Sequence, residues 1–209
     1  MRVFLCLVTL EYAQAVEVKR RRWQWRIEVF SPKLRRRLTL FSRDAQDAWI
    51  LLEADPRVQN FCERPAYMEG TAGRVLDFWV DQGRHHKFWV VSPNDAERSS
   101  IAKTANGIAV RILERADLVA LSMRIRNWSQ IVPYRVCSLR FADRRLQREI
   151  LTRLEKPYRL ERLEAAFHPL DVNEVRSALF DLLAAGKVIA PEIDSAPLSL
   201  STVFGRPPS

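Results

Sequence analysis

Apolar and polar residues alternate at period two across residues 25–30, and after the turn Ser31-Pro32-Lys33 residues 34–41 read as the returning strand, which predicts a β-hairpin. The period then changes. Ala45, Ala48, Trp49, Leu51 and Leu52 fall on one face of a 3.6-residue repeat. Ser42 stands ahead of them as an N-cap, and Asp44 lies in the first turn, where a carboxylate suits the helix dipole. A helix is therefore expected from Ser42 to the break at Asp55-Pro56. Residues 58–62 read as a short strand, and Gly70 and Gly73 bracket a turn before residues 74–80. After a second turn at Gln82-Gly83, residues 87–91 form a continuous apolar run suited to a buried strand. A helix over 94–103, a strand over 107–112, a helix over 114–126 and an essentially helical stretch over 127–155 complete the series. The order β-β-α-β-β-β-α-β-α predicts a mixed α/β domain with its first helix packed on a central sheet.

The best boundary in the pattern is Lys156-Pro157. It divides the chain into a leader or first strand (1–18), a main domain (19–156) and a small C-terminal domain (157–209). In the last, a helix over 158–167 ends at His168-Pro169, and Asp171 caps a second helix. Val172, Val175, Leu179, Leu182 and Leu183 repeat at helical spacing there, and Gly186 ends it. Residues 188–190 and 198–200 are expected to pair as a two-stranded wing, giving a winged-helix pattern. Its second helix offers Asn173, Glu174, Arg176 and Asp181, a poor set for reading phosphates, so protein contact is the expected use.

Charge changes this picture. The chain has 209 residues, with 34 Lys and Arg against 25 Asp and Glu, a formal net charge of +9. Of the basic residues 28 are arginine, which suits bidentate phosphate contact but also follows from a GC-rich genome. Residues 1–92 carry 16 basic and 11 acidic side chains, 93–156 carry 13 and 7, and 157–209 carry 5 and 7. A nucleic-acid surface is therefore expected before residue 157. Its candidates are Arg20, Arg21 and Arg22 beside Trp23 and Trp25, the run Arg35, Arg36 and Arg37, and the helical stripe Arg140, Arg144, Arg145 and Arg148. Against these stand the ordinary readings of core tryptophans and a solvated helix face.

Other classes drop out. No apolar run reaches the roughly 18 residues of a membrane span. Cys6, Cys62 and Cys137 have neither zinc-ribbon nor disulfide-framework spacing. There is no Gly-x-x-x-x-Gly-Lys loop and no Gly-x-Ser-x-Gly elbow. Arg2, the apolar residues 3–10 and Ala13-Gln14-Ala15 loosely match a secretory signal, but the apolar stretch stops at Glu11. A bacterial cytoplasmic protein is the expectation.

One set of motifs goes further. Ser42-Arg43-Asp44-Ala45, Leu51-Leu52-Glu53-Ala54-Asp55-Pro56-Arg57-Val58-Gln59-Asn60-Phe61, Arg64-Pro65 and Asp77-Phe78-Trp79-Val80 resemble the TnsA-type endonuclease subunit of two-subunit cut-and-paste transposases. The likeness extends to Asp117-Leu118 and Arg126-Asn127-Trp128-Ser129-Gln130-Ile131. It implies a restriction-endonuclease-like core followed by a small helical or winged-helix domain. The implied site needs a helix carboxylate, a strand Asp, and a Glu or Gln two residues before a Lys on the next strand. The carboxylates would hold Mg²⁺, which activates water, while the Lys offsets developing charge.

Carried onto this chain, the helix carboxylate falls on Ala45 with Asp44 beside it, and the strand Asp is Asp77, the one clear metal ligand. The Glu/Gln position is Val90 and the Lys position is Ser92. An aliphatic residue cannot ligate metal, and a serine supplies no cation. The ordinary alternative for Asp77 is a strand-end ion pair with Arg74 or a turn contact. Lys87 is a possible migrant; Glu53 and Glu63 are nearby in sequence, and His85-His86 reads as an exposed loop. The expectation is a catalytically impaired, DNA-binding subunit that holds transposon ends, needs no cofactor, and couples a DDE-type transposase to an AAA+ regulator. The alternative is an active Mg²⁺-dependent endonuclease with a rearranged site.

Overall fold

The computed structural model describes residues 12–18, 25–68, 74–99, 101, 104–105, 107–139 and 143–208. Contacts divide the chain into two compact units, Met1–Leu52 with Arg57–Val119, and Glu53–Pro56 with Ala120–Ser209.

In the first unit, β1 (Ile27–Ser31) and β2 (Arg36–Leu40) pair antiparallel as expected, with Ile27 opposite Leu40. The turn is longer than Ser31-Pro32-Lys33. Ser31 Oγ accepts the Leu34 N–H at 3.0 Å and Arg35 turns left-handed at φ 55°, so the second strand starts only at Arg36. The hairpin is a sheet of its own rather than part of the central one. Helix α1 (Arg43–Ala54) begins where Ser42 predicts, the Ser42 Oγ accepting the Ala45 N–H at 3.0 Å, and Ala48, Trp49, Leu51 and Leu52 are buried.

The main sheet is mixed. It contains β3 (Asn60–Glu63), β4 (Phe78–Asp81), β5 (His86–Val91), the two-residue β6 (Thr104–Ala105) and β7 (Ile108–Leu113), in the order β3-β4-β5-β7-β6. The first three strands run antiparallel, and β5 lies parallel to β7. Cys62, Trp79, Phe88 and Val90 form one buried cluster with Tyr12, Met68 and Leu76. Phe61, Phe78, Trp89 and Val91 alternate with them and are buried too. Burial of both faces is why β4 and β5 read as unbroken apolar runs. Tyr12 meets the Phe88 ring edge-on at 5.0 Å, and the Val16 N–H reaches the Arg64 carbonyl at 2.9 Å. Residues 1–11, including most of the signal-like stretch, lie outside the described residues.

The helix expected over 94–103 is a single turn, α2 (Asp95–Arg98), held by a capping box between Asn94 and Glu97. The helix expected over 114–126 breaks at Leu121 into α3 (Arg115–Ala120) and α4 (Ser122–Ser138).

In the second unit, α4 is followed by α5 (Arg144–Arg153), which Asp143 caps through the Arg145 and Leu146 N–H groups. Then come β8 (Tyr158–Arg159), α6 (Leu160–Ala166), α7 (Val172–Ala184) and β9 (Val203–Phe204). The Asp171 cap is present and accepts the Asn173 N–H at 2.8 Å. The expected boundary at Lys156-Pro157 falls inside this unit, because α4 and α5 share the core of α7. Tyr134 of α4 lies edge-on to Phe180 of α7 at 5.4 Å, and Leu146 and Ile150 of α5 are buried.

The expected wing is rearranged. β9 pairs with β8 rather than residues 198–200 pairing with 188–190, and Ile189 bridges Gly205. Residues 198–202 are held in turns instead. Asn127 Oδ1 takes the Leu198 N–H at 2.8 Å, and Thr202 Oγ1 takes the Ser199 N–H at 2.9 Å. Among the described residues no helix is long and apolar enough to cross a membrane.

Candidate functional site

Some of the residues quoted for the nuclease resemblance, Ser42, Asp44, Ala45, Arg64, Asp77 and Phe78, line a cleft of about 260 Å³ in the first unit. Asp44 and Ala45 enter from the first turn of α1, Glu63 and Arg64 from the end of β3, Asp77 from the start of β4, and Val91 and Ser92 from the end of β5. Asp77 is fixed by its backbone on both sides: its N–H donates to the Trp89 carbonyl at 3.0 Å and its carbonyl accepts the Arg64 N–H at 2.9 Å. Arg64 and Ser92 are two of the three non-glycine residues with left-handed backbone among those described, at φ 49° and 43°. Such a conformation is unfavourable for an L-residue, and here it turns the ends of β3 and β5 at the cleft.

The Asp77 carboxylate is already engaged. Its Oδ2 accepts the Val91 N–H at 2.8 Å and an Arg74 N–H at 3.2 Å. Arg74 also pairs with Glu97 at 2.7 Å. Burial pushes the Asp77 carboxyl up to about 6, while Arg74 and the Val91 N–H oppose the rise and Glu97 adds to it. The folded chain thus holds this proton where an unfolded chain, near 3.8, has lost it. Asp77 contributes stability below pH 4 that is lost as pH rises through 6. Asp77→Asn is expected to flatten that fall, read as urea midpoints between pH 4 and 7. An unchanged pH profile would mean that Asp77 titrates normally.

Glu63 is likewise committed. Both of its oxygens accept from Arg36, at 3.0 and 2.6 Å. Arg36 therefore serves the cleft wall and is not available as the expected DNA contact. Strand alternation turns it opposite to Arg35 and Arg37, which are exposed. Arg64 hydrogen-bonds the Thr39 carbonyl at 3.2 Å and covers the Phe41 ring at 4.9 Å. Beside Glu63, burial pushes the Cys62 thiol up to about 11, which removes it as a nucleophile at neutral pH.

The remaining expected positions do not join the cleft. Val90 belongs to the buried apolar cluster on the other side of β5, so its side chain is turned away from Val91 and Ser92. Lys87 is exposed and does not line the cleft; four residues back along β5 it is about 13 Å from Val91. His86 stacks on Trp79 at 5.4 Å instead of lying in an exposed loop, while His85 is exposed. Glu53 is fully buried in the second unit, paired with Arg135 at 3.1 Å.

Among the described residues no group of three or more His, Cys, Asp or Glu side chains is placed to hold a metal ion. With a guanidinium on Asp77 and another on Glu63, the donor set does not fit Mg²⁺, which needs carboxylate oxygens free to face it. No family model matches this chain, and no curated protein is detectably similar to it.

Arg64 and Arg74 line the cleft: Arg64 stood in the resemblance without a role of its own, and the Arg74 pair with Asp77 is the ordinary alternative to a nuclease site. Their one-dimensional signal was weak: Arg74 stands three residues before Asp77, and Arg64 directly follows a buried acidic residue. Among the nucleic-acid candidates, Arg144, Arg145 and Arg148 are exposed on α5, above the buried Leu146 and Ile150. Arg20, Arg21, Arg22 and Arg140 lie outside the described residues.

Proposed function

We propose that this chain is a DNA-binding, TnsA-like subunit of a transposition complex, with a restriction-endonuclease-like core whose nuclease site no longer works. The observation carrying this reading is the fate of Asp77, whose carboxylate is taken by Arg74 and the Val91 N–H. Two further features support it. Helix α1 with Asp44, β4 with Asp77 and β5 with Val90 and Ser92 follow in the order the resemblance implies. Val90 sits in the apolar core and Ser92 supplies no cation. The chain then holds double-stranded transposon ends and joins a DDE-type transposase to an AAA+ regulator, with residues 157–209, winged-helix-like in their α6-α7-β9 order, as the docking part.

Arg144, Arg145 and Arg148 stand on the exposed side of α5; the Arg145 pair with Glu149, at 3.0 Å, is exposed and weak enough for duplex phosphates to displace. Replacing all three with Ala is expected to lower the log–log salt slope of duplex binding by about 2 to 3, at roughly 0.9 per phosphate contact. Unchanged slope and affinity would mark the stripe as a solvated face. The second reading, an endonuclease with a rearranged site, is favoured by one observation: Asp44, Glu63 and Asp77 line the same cleft.

A further inference from the structure

A concavity of about 1000 Å³ in the second unit lies between α5 and the turn joining α6 to α7. We propose that it binds a single-stranded segment of nucleic acid. One wall is cationic. Arg145, Arg148 and Arg153 line it along α5, and Lys156 extends the row beyond the helix end. From Arg145 to Arg153 the helix rises about 12 Å, the reach of three or so successive phosphates. Arg148 and Lys156 have no carboxylate partner among the described residues, whereas Arg145 pairs with Glu149 at 3.0 Å.

The opposite wall differs. Tyr158, His168, Pro169 and Leu170 line it, and Leu170 is 44% exposed. Behind them, Arg153 lies over the Phe167 ring at 5.8 Å. A duplex presents a convex rod of phosphates with its bases stacked inside, and has no use for an apolar and aromatic wall. An unstacked strand presents both phosphates and base faces, which a cationic row opposite flat side chains satisfies together. Glu149 and Glu155 line the same groove, and the first of them pairs with Arg145.

This inference rests on the DNA-binding reading for its ligand class and shares Arg145 and Arg148 with it, so the variants that test it are taken from Arg153, Lys156 and His168, which the duplex reading does not use. The test is fluorescence anisotropy of the full chain with labelled oligothymidylate of about 12 nucleotides and a duplex of equal length. The expected result is that Arg153→Ala with Lys156→Ala weakens single-strand binding tenfold or more. It should lower the single-strand salt slope by about 1.4 and leave duplex affinity unchanged. His168→Ala, at an exposed position, should weaken the single strand severalfold without changing the slope. Single-strand affinity untouched by both variants would overturn the proposal. So would a decaglutamate peptide that displaces the oligonucleotide at equal concentration, which would make the groove a protein-docking site. Duplex binding that fails while the single strand holds would sink the transposon-end reading and leave the groove standing; the reverse outcome would sink the groove alone.

Discussion

Arg135→Ala is expected to destabilise the second unit by about 3–5 kcal/mol, because it strips the guanidinium from a buried carboxylate. Glu53 is fully buried, and Arg135 approaches its Oε2 at 3.1 Å while its Nε reaches Asp181 at 3.4 Å. Withdrawing two charges from water is itself expensive, so the network is a weak source of net stability. Breaking it is another matter, since the remaining charge keeps its desolvation cost and loses its attraction. The account therefore makes a paired prediction for urea unfolding at neutral pH. Arg135→Ala falls steeply, and Arg135→Met combined with Glu53→Leu recovers most of the loss. A loss under about 1 kcal/mol for Arg135→Ala would mean that water reaches Glu53.

Asn127→Ala is expected to cost about 3 kcal/mol or more in the same measurement. Asn127 is fully buried, and its Nδ2 donates to the Ile193 and Ala196 carbonyls at 2.7 Å each. Its Oδ1 accepts the Leu198 N–H at 2.8 Å, so one side chain satisfies three backbone groups of the loop before β9. Each buried group left without a partner costs about 1–3 kcal/mol. Asn127→Asp is the sharper variant. It keeps the shape but faces a carboxylate towards two carbonyl oxygens, and should be at least as damaging at neutral pH. It should recover in part on acidification, as the carboxyl regains a proton to donate. Equal stability of Asn127→Ala and the parent would mean that the loop finds other partners.

What the sequence disclosed depended on how local the cause was. The hairpin, the Ser42 and Asp171 caps and the apolar strand β5 were legible because period, cap and turn residues act within a few positions. The wing was misplaced because its register is set by Asn127, some seventy positions away. The domain boundary was misplaced for a similar reason: α4 and α5 have ordinary amphipathic faces, and only the fold shows that α7 covers them. In the cleft, the resemblance singled out Asp44, Asp77 and Ser92, and proximity in sequence offered the Arg74–Asp77 pair, whereas the Arg36–Glu63 pairing across twenty-seven positions was not legible. Nothing in one dimension separates an arginine that waits for phosphate from one that neutralises a carboxylate. Arg36 and Arg37 are adjacent, yet the first pairs with Glu63 and the second is exposed.

In the cleft Arg74 pairs with Asp77, and under the proposed function that arginine stands in for metal. That reading is tested most directly by incubating the full chain with supercoiled plasmid in Mg²⁺ or Mn²⁺, at a salt concentration where DNA binding is saturated. The account predicts that the plasmid is bound and stays supercoiled, with the parent chain and Asp77→Ala indistinguishable. Metal-dependent nicking by the parent that disappears in Asp77→Ala would contradict it, and would make Asp44, Glu63 and Asp77 the ligands of a working site.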